Sequence, residues 1–459
     1  MIAWLNAFKK PWMWLSFHIL LGYLSTISSV FLVIYFYLVA VTSLFVILFG
    51  EGKRHLLTLL IVYLIPFEII CRMAQTSPAI PYELSKYLQF VLLLFGIFTG
   101  RGKGALGLLM FLLILPGLFF DFSGYVNFKD LVFNVLAPIN LCLGIIYFYK
   151  VRTNKEGFER IIIAILLPLI SALVFTYLKT PDYEDIEFVL GSNFETTGGF
   201  GSNQVSTVFG LGMFLTFYLW YNRIALSGFR FIDGLVLFLF VLQGLLSFSR
   251  GGMIGGALAI IIILFFDILQ KKSYKVRTAK STKYLIPALF LVLSAIWLTN
   301  NITDGNLLLR YQGETAGTLA GTREKDLNSI TTNRVSIFEG DWNLFLENNF
   351  GVGAGASKYL RKNENGVLSH IELSRLAAEH GYLGLIFFSI YTLIPFYYFN
   401  RRNQSQNKSV AIAIYVLAWY TTFHAATRNF VTPLLAGVAL ISVVDKVGQR
   451  TVEKKNEVI

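Results

Sequence analysis

The chain has 459 residues, of which 55% are hydrophobic and only 14% are charged, and its formal net charge is +12. A soluble globular protein carries about 25% charged residues, so this composition excludes a soluble enzyme, a disordered scaffold and a nucleic-acid-binding domain of ordinary composition. The excess of Lys and Arg has a topological explanation, because these residues accumulate in the cytoplasmic loops of membrane proteins.

Apolar segments dominate the chain from its beginning. Residues 11–50 contain no Asp, Glu, Lys or Arg, and about 20 apolar residues are enough to cross the hydrocarbon core of a bilayer. The sequence predicts an all-α, polytopic membrane protein with about 12–14 transmembrane helices and one large, partly helical outer loop. The fourteen apolar segments lie at 12–27, 29–50, 56–72, 86–99, 105–120, 131–149, 161–178, 204–221, 231–247, 252–269, 284–299, 380–399, 410–427 and 429–445.

The distribution of basic residues predicts the orientation. If the N-terminus is cytoplasmic, most of the 39 Lys and Arg residues fall in cytoplasmic connections, so both termini are expected to be cytoplasmic. The chain then divides into N-terminal transmembrane helices at 1–178, central transmembrane helices at 179–299, a large outer loop at 300–379, and C-terminal helices with a cytoplasmic tail at 380–459.

The outer loop at 300–379 is long enough to predict a function, since structureless loops of that length are uncommon. Within it, Ser336 and Glu339 have capping-box spacing, and apolar residues follow at helical intervals as far as Leu346. These residues predict a helix that lies against the membrane surface or the helix bundle. A second outer loop, 179–203, is rich in acidic residues.

The short connection at 247–252 is the first candidate site. Arg250 must lie near the membrane boundary, where a charge is costly and usually lines a cavity or has a partner. An Arg beside the unpaired amides of a helix start suits a diphosphate. The alternative is an interfacial Arg that reaches lipid headgroups. Gly251 and Gly252 are interpreted as residues that allow close helix packing, in preference to residues that contact a ligand.

A second candidate site lies where the long loop enters the next apolar segment. Ser369 and Glu372 have capping-box spacing, which predicts that His370 lies in the first turn of a helix. The helix dipole there disfavours imidazolium, so His370 would be neutral and able to accept a proton. The alternative is a surface His within a solvated cluster of charges.

The residues that follow His370 include charged side chains and a second histidine that is an alternative candidate for the base. Arg375 can reach Glu372 and Glu379 at helical spacings of three and four residues. His380 lies nearer the membrane, where a packed His is the favoured interpretation. Two glycine-containing stretches, 351–355 and 198–204, permit tight turns. On their own they are typical of a loop and of a flexible helix entry.

Some signals are absent from the sequence. The outer loops contain no HExxH, CxxC or Asp-x-Asp pattern, so a metal-dependent mechanism is unsupported. Cys71 and Cys142 lie in apolar stretches and form no readable disulfide framework. Glu68 is the one acidic residue well inside an early span, whereas a proton-coupled carrier would show more such groups.

Several of these stretches occur in an order that resembles the bacterial O-antigen ligase and polymerase family. The stretch 198–204 resembles the family's glycine and asparagine-proline-asparagine segment, and 249–252 resembles its serine-arginine-glycine connection. Arg334, Trp342 and the glycines of 351–355 are similar to its arginine, tryptophan and glycine run in the periplasmic loop.

The last matching feature is the spacing around His370. Glu379 follows nine residues later, and Gly381 and Gly384 come next, as in the family. The resemblance covers roughly 195–400. It departs from the family where Glu195 precedes the asparagine segment in place of an arginine, and where Ile371 follows the histidine. The missing arginine would be supplied by another residue, with Arg310 or Arg323 as candidates.

The resemblance implies a metal-independent, inverting-type glycosyltransferase with no cofactor. The donor would be a glycan on undecaprenyl diphosphate, and the acceptor hydroxyl would belong to lipid A-core in a ligase or to a second lipid-linked repeat in a polymerase. His370 would be the catalytic base, and Arg250 and Arg334 would bind the diphosphate; all three are expected to converge on one outward-facing cavity. Supporting residues would be Asn203, Gln204, Ser249, Gly251, Arg310, Arg375 and Glu379.

The implied location is the bacterial inner membrane, with membrane lipids as further partners, a periplasmic active site and no nucleic acid. The acceptor is not settled by sequence, although the better-kept motif around His370 favours a ligase. A different class, a transporter of lipid-linked oligosaccharide, would show paired buried charges inside its spans and no long outer loop.

Overall fold

The computed structural model describes residues 10–49, 54–81, 83–101, 104–120, 125–149, 151–269, 274–362, 366–401, 407–427 and 431–444. Helices make up most of this part of the chain. In chain order they are α1 Pro11–Ile27, α2 Ser29–Phe49, α3 Arg54–Leu64, α4 Phe67–Met73, α5 Leu84–Gly96, α6 Ala105–Ile114, α7 Phe128–Phe148, α8 Lys155–Lys179, α9 Ser202–Tyr221, α10 Arg230–Leu246, α11 Arg250–Leu269, α12 Tyr274–Ile302, α13 Asn306–Tyr311, α14 Ala316–Leu319, α15 Leu327–Ile330, α16 Arg334–Glu347, α17 Ser357–Leu360, α18 Glu372–Arg401, α19 Lys408–Thr421 and α20 Val431–Val438.

Two short strands are the β-structure of the described residues. β1, Arg152–Thr153, pairs in parallel with β2, Ser442–Val443. This pairing joins the connection between α7 and α8 to the chain that follows α20. Short 3-10 and π segments complete the regular structure, at Ile97–Arg101, Leu115–Leu118, Tyr183–Asp185 and Glu195–Thr197.

Six helices in the described residues are long and apolar enough to cross a membrane. They are Ser29–Phe49, His55–Met73, Phe128–Phe148, Lys155–Lys179, Leu285–Ile302 and Glu372–Tyr398. Shorter apolar helices of 10–17 residues cover Leu84–Gly100, Ala105–Leu118, Arg250–Phe266 and Lys408–Thr421. The structure thus agrees with an almost wholly helical fold that contains several potential membrane spans.

The predicted span at 429–445 is wrong as a single helix. In this segment α20 has eight residues, which at 1.5 Å per residue extend only about 12 Å. The chain then turns and forms β2. Hydropathy counts apolar residues without regard to their local structure, so a short helix followed by a buried strand gives the same signal as one span.

Three helices, α9, α11 and α19, form the frame on which the candidate site is built. α11 packs against both α9 and α19. A Cβ atom added to Gly252 would lie 2.2 Å from the carbonyl carbon of Ser206, and one added to Gly256 would lie 2.3 Å from the carbonyl oxygen of Gly210. Glycine is therefore required for α9 and α11 to approach each other this closely.

The long loop at 300–379 folds against the bundle. Its longest helix, α16, packs on α18 and buries Ile337, Leu344 and Phe345, which confirms the predicted helix. The predicted capping box of Ser336 and Glu339 is wrong: α16 begins two residues earlier, and the Ser336 hydroxyl donates to the carbonyl oxygen of Asn333 at 3.0 Å from within the first turn.

The glycines of 351–355 pack against a kink in α18. Gly381 has φ 60° and ψ −141° there, and a Cβ added to Gly351 would lie 2.5 Å from the carbonyl oxygen of Glu379. The backbone amides of Val352 and Gly353 donate to the carbonyls of Ala378 and Glu379, at 2.9 and 3.0 Å. This stretch is buried and holds the loop on α18.

Candidate functional site

The turn between α10 and α11 directs Arg250 toward the long loop. Phe248 adopts a positive φ of 55°, a conformation that is strained for a bulky residue. Its buried ring stacks on Phe188, with centroids 5.8 Å apart, and the Ser247 hydroxyl donates to the carbonyl of Gly244 at 2.6 Å. Packing on both sides of the turn therefore fixes the residue at which α11 begins.

Three arginines meet at this end of the bundle, and we call Arg250, Arg310 and Arg334 the arginine cluster. Arg250 Nη1 donates to the carbonyl oxygen of Arg310 at 3.0 Å, and its Nη2 donates to the carbonyl of Ile330. Arg310 is buried, and its Nη1 donates to the carbonyl of Leu190 at 3.2 Å. The cluster thus joins the α10–α11 turn to both outer loops.

The cluster carries positive charge that no described carboxylate balances. Among the residues that the structure describes, none of the three arginines forms an ion pair with Asp or Glu. Burial, followed by Arg250 and Arg334, lowers the pKa of Arg310 to about 10. Burial and then Arg250 lower the pKa of Arg334. Burial and neighbouring guanidinium groups therefore both disfavour the positive charges of Arg310 and Arg334.

A buried histidine connects Arg334 to α9. Arg334 Nη1 donates to Nδ1 of His424 at 3.1 Å, and the Nε2 of His424 lies 3.5 Å from the Ser249 hydroxyl. That hydroxyl donates to Asn203 Oδ1 at 2.8 Å and accepts from the Ser206 hydroxyl at 3.0 Å. Because Nδ1 accepts from Arg334, the ring is the neutral tautomer with its proton on Nε2.

The electrostatics around His424 favour the same neutral form. Burial, Arg334 and His370, in that order, lower the pKa of His424 to about 3, against a hydrogen bond with the backbone of Asn203. Gly251 allows this packing, since a Cβ added there would lie 2.2 Å from the ring. His424 is therefore a neutral acceptor that orients Arg334.

The sequence does not single out His424 as a site residue, because the predicted apolar segment 410–427 includes it. In the structure α19 ends at Thr421, and His424 lies in the turn that follows. A titratable residue at the outer end of an apolar segment was the available signal, since such residues usually line a cavity or have a partner. Arg250 was found by the same rule.

His370 lies half-buried in the coil just before α18, close enough to His424 to affect its pKa. The predicted capping box at Ser369 and Glu372 is wrong. α18 begins at Glu372, so His370 precedes the helix, and the Ser369 hydroxyl donates to Oδ2 of Asp341 at 2.7 Å. Asp341 is buried and needs donors, which is why Ser369 does not cap the helix; the helix-dipole argument for a neutral His370 loses its basis.

Arg375 and Glu379 belong to a separate set of buried charges, which we call the paired network: Asp341, Arg361, Glu372, Arg375 and Glu379. Arg375 donates to both oxygens of Glu372, at 3.1 and 2.6 Å, and to Glu379 at 3.0 Å. The ion pair of Arg361 with Asp341 measures 3.2 Å. All five side chains are buried, and each of the three carboxylates contacts one of the two arginines.

Some of the remaining candidate residues lie beside the arginine cluster, and others lie on the surface or are packed elsewhere in the bundle. Gln204 is half-buried beside Asn203 at the start of α9. Arg323 donates to Asn333 Oδ1 at 2.9 Å on the exposed surface, so Arg310, and not Arg323, joins the arginine cluster. The rival His380 is buried against Gly117, and its Nδ1 has no hydrogen-bond partner among the described residues.

The arrangement suits an anion better than a metal ion. Three guanidinium groups without a described carboxylate partner have the charge and the donor groups that phosphate oxygens require. In the described part of the chain, no three His, Cys, Asp or Glu side chains come together in a way that could hold a metal. No model of a known protein family matches the chain, and a search of curated proteins finds no match.

Proposed function

We propose that the protein is a polytopic membrane glycosyltransferase that moves a glycan from undecaprenyl diphosphate to an acceptor hydroxyl at the periplasmic face. The observation that carries the proposal is the arginine cluster, whose charges have no described carboxylate partner. Arg250 and Arg334, which the sequence resemblance singles out, lie in this cluster together with Arg310.

A diphosphate relieves the repulsion within the cluster. Burial, followed by neighbouring arginines, lowers the pKa of Arg310 and Arg334, so a bound anion would favour their charged forms. Charge-assisted hydrogen bonds from guanidinium to phosphate are among the stronger contacts in proteins. The same contacts stabilise the diphosphate as it leaves, because the breaking bond to the anomeric carbon adds negative charge to it.

In the proposed reaction, the acceptor oxygen forms a bond to the anomeric carbon of the donor. The bond between that carbon and the diphosphate oxygen breaks, and its electron pair leaves with undecaprenyl diphosphate. His370 accepts the proton of the acceptor hydroxyl. His424 is assigned a positioning role, because burial and Arg334 keep it neutral with a pKa of about 3, which makes it a poor base near pH 7.

The bacterial inner membrane is the proposed location, with both termini in the cytoplasm. Six potential spans in the described residues support it. The structure also separates two ends of the bundle: the arginine cluster lies at one, and β1 with β2 and the start of α19 lie at the other. The long loop at 300–379 folds over the first of these ends, as a periplasmic loop would.

The acceptor distinguishes two versions of the proposal. We favour a ligase, which transfers the glycan to lipid A-core in lipopolysaccharide or surface polysaccharide synthesis; the alternative is a polymerase that joins lipid-linked repeats. Cells that lack a ligase accumulate finished lipid-linked polymer, whereas cells that lack a polymerase accumulate single lipid-linked repeats. Analysis of these glycans after deletion of the gene separates the two.

A transporter of lipid-linked oligosaccharide is the second candidate, and one observation favours it. Glu68 and Lys86 form a buried ion pair of 2.9 Å, and Arg72 approaches the same carboxylate oxygen at 2.9 Å. Such paired charges inside apolar helices are expected of a transporter. The long loop that packs on α18, with the arginine cluster beside it, favours the enzyme.

The decisive experiment uses purified protein, an undecaprenyl-diphosphate-linked glycan and an acceptor. An enzyme releases undecaprenyl diphosphate, whereas a transporter in proteoliposomes moves the intact donor and releases none. Arg250→Ala and Arg334→Ala should weaken donor binding as well as transfer. Lys362→Ala is the control, because Lys362 lies in the same loop and pairs with Glu347 on the exposed surface. Equal donor affinity in all three variants would contradict the assignment of the arginine cluster.

A further inference from the structure

Pro395 in α18 leaves a backbone carbonyl without its helical donor, and α19 supplies the missing donor. Pro395 lies inside α18 and has no amide hydrogen, so the carbonyl of Tyr391, four residues earlier, loses its helical donor. The Tyr415 hydroxyl donates to that carbonyl at 2.5 Å, and the indole nitrogen of Trp419 donates to the Thr392 hydroxyl at 3.0 Å. The two helices are therefore held together beside Pro395.

Beside Pro395, α11, α18 and α19 line a half-open cavity of about 720 Å³. This volume lies in the range typical of ligand sites, about 300–1,000 Å³. Its walls are mainly apolar and include Phe266, Pro395, Phe396 and Val416. Phe396 is 73% exposed, so the cavity opens on the apolar outer surface of the bundle.

Lys408 is the one charged residue among the described residues that line the cavity. It begins α19, at the end of the bundle opposite the arginine cluster, and it forms no ion pair with any described carboxylate. From Lys408 the lining follows α19 as far as Trp419, a distance of about 16 Å at 1.5 Å per residue. Among the described lining residues, Lys408 thus places a positive charge at one end of an elongated apolar cavity.

We propose that this cavity binds an anionic phospholipid of the cytoplasmic leaflet, with its phosphate at Lys408 and an acyl chain against Pro395, Val416 and Trp419. A positive group at one end and apolar walls beyond it match the two parts of such a lipid. The proposed glycan donor is a poorer match, because its diphosphate would occupy the arginine cluster and leave Lys408 unused. The inference rests on the proposed membrane location and not on the glycosyltransferase activity.

Native mass spectrometry of the delipidated protein tests this, with phosphatidylglycerol and phosphatidylethanolamine as probes. Lys408→Met keeps a long apolar side chain and removes the charge. Lys155→Met is the matched control, because Lys155 lies at the same end of the bundle, is largely exposed and is not among the residues that line this cavity. Val416→Trp fills the cavity without changing any charge.

We expect phosphatidylglycerol to bind in preference to phosphatidylethanolamine, and Lys408→Met to weaken it roughly five- to tenfold, as the loss of one interfacial cation implies. Lys155→Met should bind as the wild type does, and Val416→Trp should bind neither lipid at this site. Equal binding of the two lipids, equal binding by Lys408→Met, or displacement of phosphatidylglycerol by undecaprenyl phosphate would each overturn the proposal. If transfer activity is absent but phosphatidylglycerol still binds as expected, the proposed function fails and this inference stands.

Discussion

Arginines occur in two contrasting environments at the same end of this bundle. In the paired network, Arg375 contacts Glu372 and Glu379, and Arg361 contacts Asp341. In the arginine cluster, the three guanidinium groups contact backbone carbonyls and His424, and none has a carboxylate partner among the described residues. Residue type and burial alone therefore do not separate a structural arginine from a ligand-binding one; the partner does.

The paired network fixes the positions of two segments that lie beside the arginine cluster. The amide and hydroxyl of Thr427 donate to Glu372 at 3.0 and 2.8 Å, which fixes the turn that carries His424. Asp341 accepts from Ser369, next to His370. Carboxylates that pair with Arg361 and Arg375 thus orient the segments that carry His370 and His424. Substitutions in the two groups should therefore have different effects on stability and on donor binding.

The largest effect is expected from His370→Ala, which should reduce transfer ~10²–10⁴-fold, as the loss of a general base does. His370 is part of neither the paired network nor the arginine cluster, so its loss should leave folding and donor affinity largely unchanged. Transfer rate and donor affinity are measured at matched membrane expression, with His380→Ala as the comparison. An active His370→Ala beside an inactive, well-folded His380→Ala would show that the base is misassigned.

Arg375→Leu should destabilise the protein strongly. Removal of one partner from a buried pair leaves an unpaired charge and costs about 3–5 kcal/mol, and here two carboxylates, Glu372 and Glu379, lose the same partner. Thermal unfolding in detergent is the measurement. If Arg375→Leu unfolds at the wild-type temperature and loses only donor binding, Arg375 belongs with the ligand-binding arginines and the comparison fails.

Arg310→Met should give the opposite pattern. Relief of charge crowding among the arginines is offset by the lost hydrogen bonds to the carbonyls of Leu190 and Phe248, so thermal stability should fall much less than in Arg375→Leu. Donor affinity should fall roughly tenfold or more, since a hydrogen bond to a charged group contributes about 1.5–3 kcal/mol. Donor binding and thermal unfolding are compared with Arg323→Met, whose side chain lies on the exposed surface of the same loop. A destabilised Arg310→Met that binds donor normally would assign Arg310 a purely structural role.

The pKa of His424 predicts a weaker, pH-dependent effect. Burial, followed by Arg334, lowers this pKa from 6.5 to about 3 in the folded state, so below pH 6.5 the unfolded chain binds a proton that the folded chain does not. The stability contributed by neutral His424 is therefore present above pH 6.5 and is lost as the pH falls toward 3. Between pH 7.5 and pH 5 the loss should be about 2 kcal/mol.

Unfolding of the wild type and of His424→Gln at pH 7.5 and pH 5 measures this term. Gln retains a polar side chain near Arg334 but does not titrate, so its stability should change less with pH. The same pH dependence in both proteins would mean that His424 is not the group responsible.

The sequence predicts the helical architecture better than it predicts the site. Apolar segments predict the helices because residues buried in the bundle or facing lipid must be apolar. At 429–445, however, a short helix followed by a strand has the same hydropathy as one membrane span. Arg250 is predicted because a charge beside an apolar segment usually lines a cavity or has a partner, whereas Arg334 is predicted only from the family resemblance. The pairing of Asp341 with Arg361 and Ser369 depends on how the loop folds back on α18, and no local spacing encodes it.

The smallest expected effect is that of a chelator, which should leave transfer unchanged. In a metal-dependent transferase a divalent cation neutralises the leaving diphosphate; here the arginine cluster supplies that charge. A divalent ion would be repelled by Arg250, Arg310 and Arg334, and no described carboxylate lies beside them to hold it. Turnover of purified protein is compared with and without excess EDTA, and then with added magnesium or manganese. Activity that EDTA removes and either metal restores would show that the arginines do not stabilise the leaving group by themselves, and the contrast between unpaired and paired arginines would then lose its catalytic meaning.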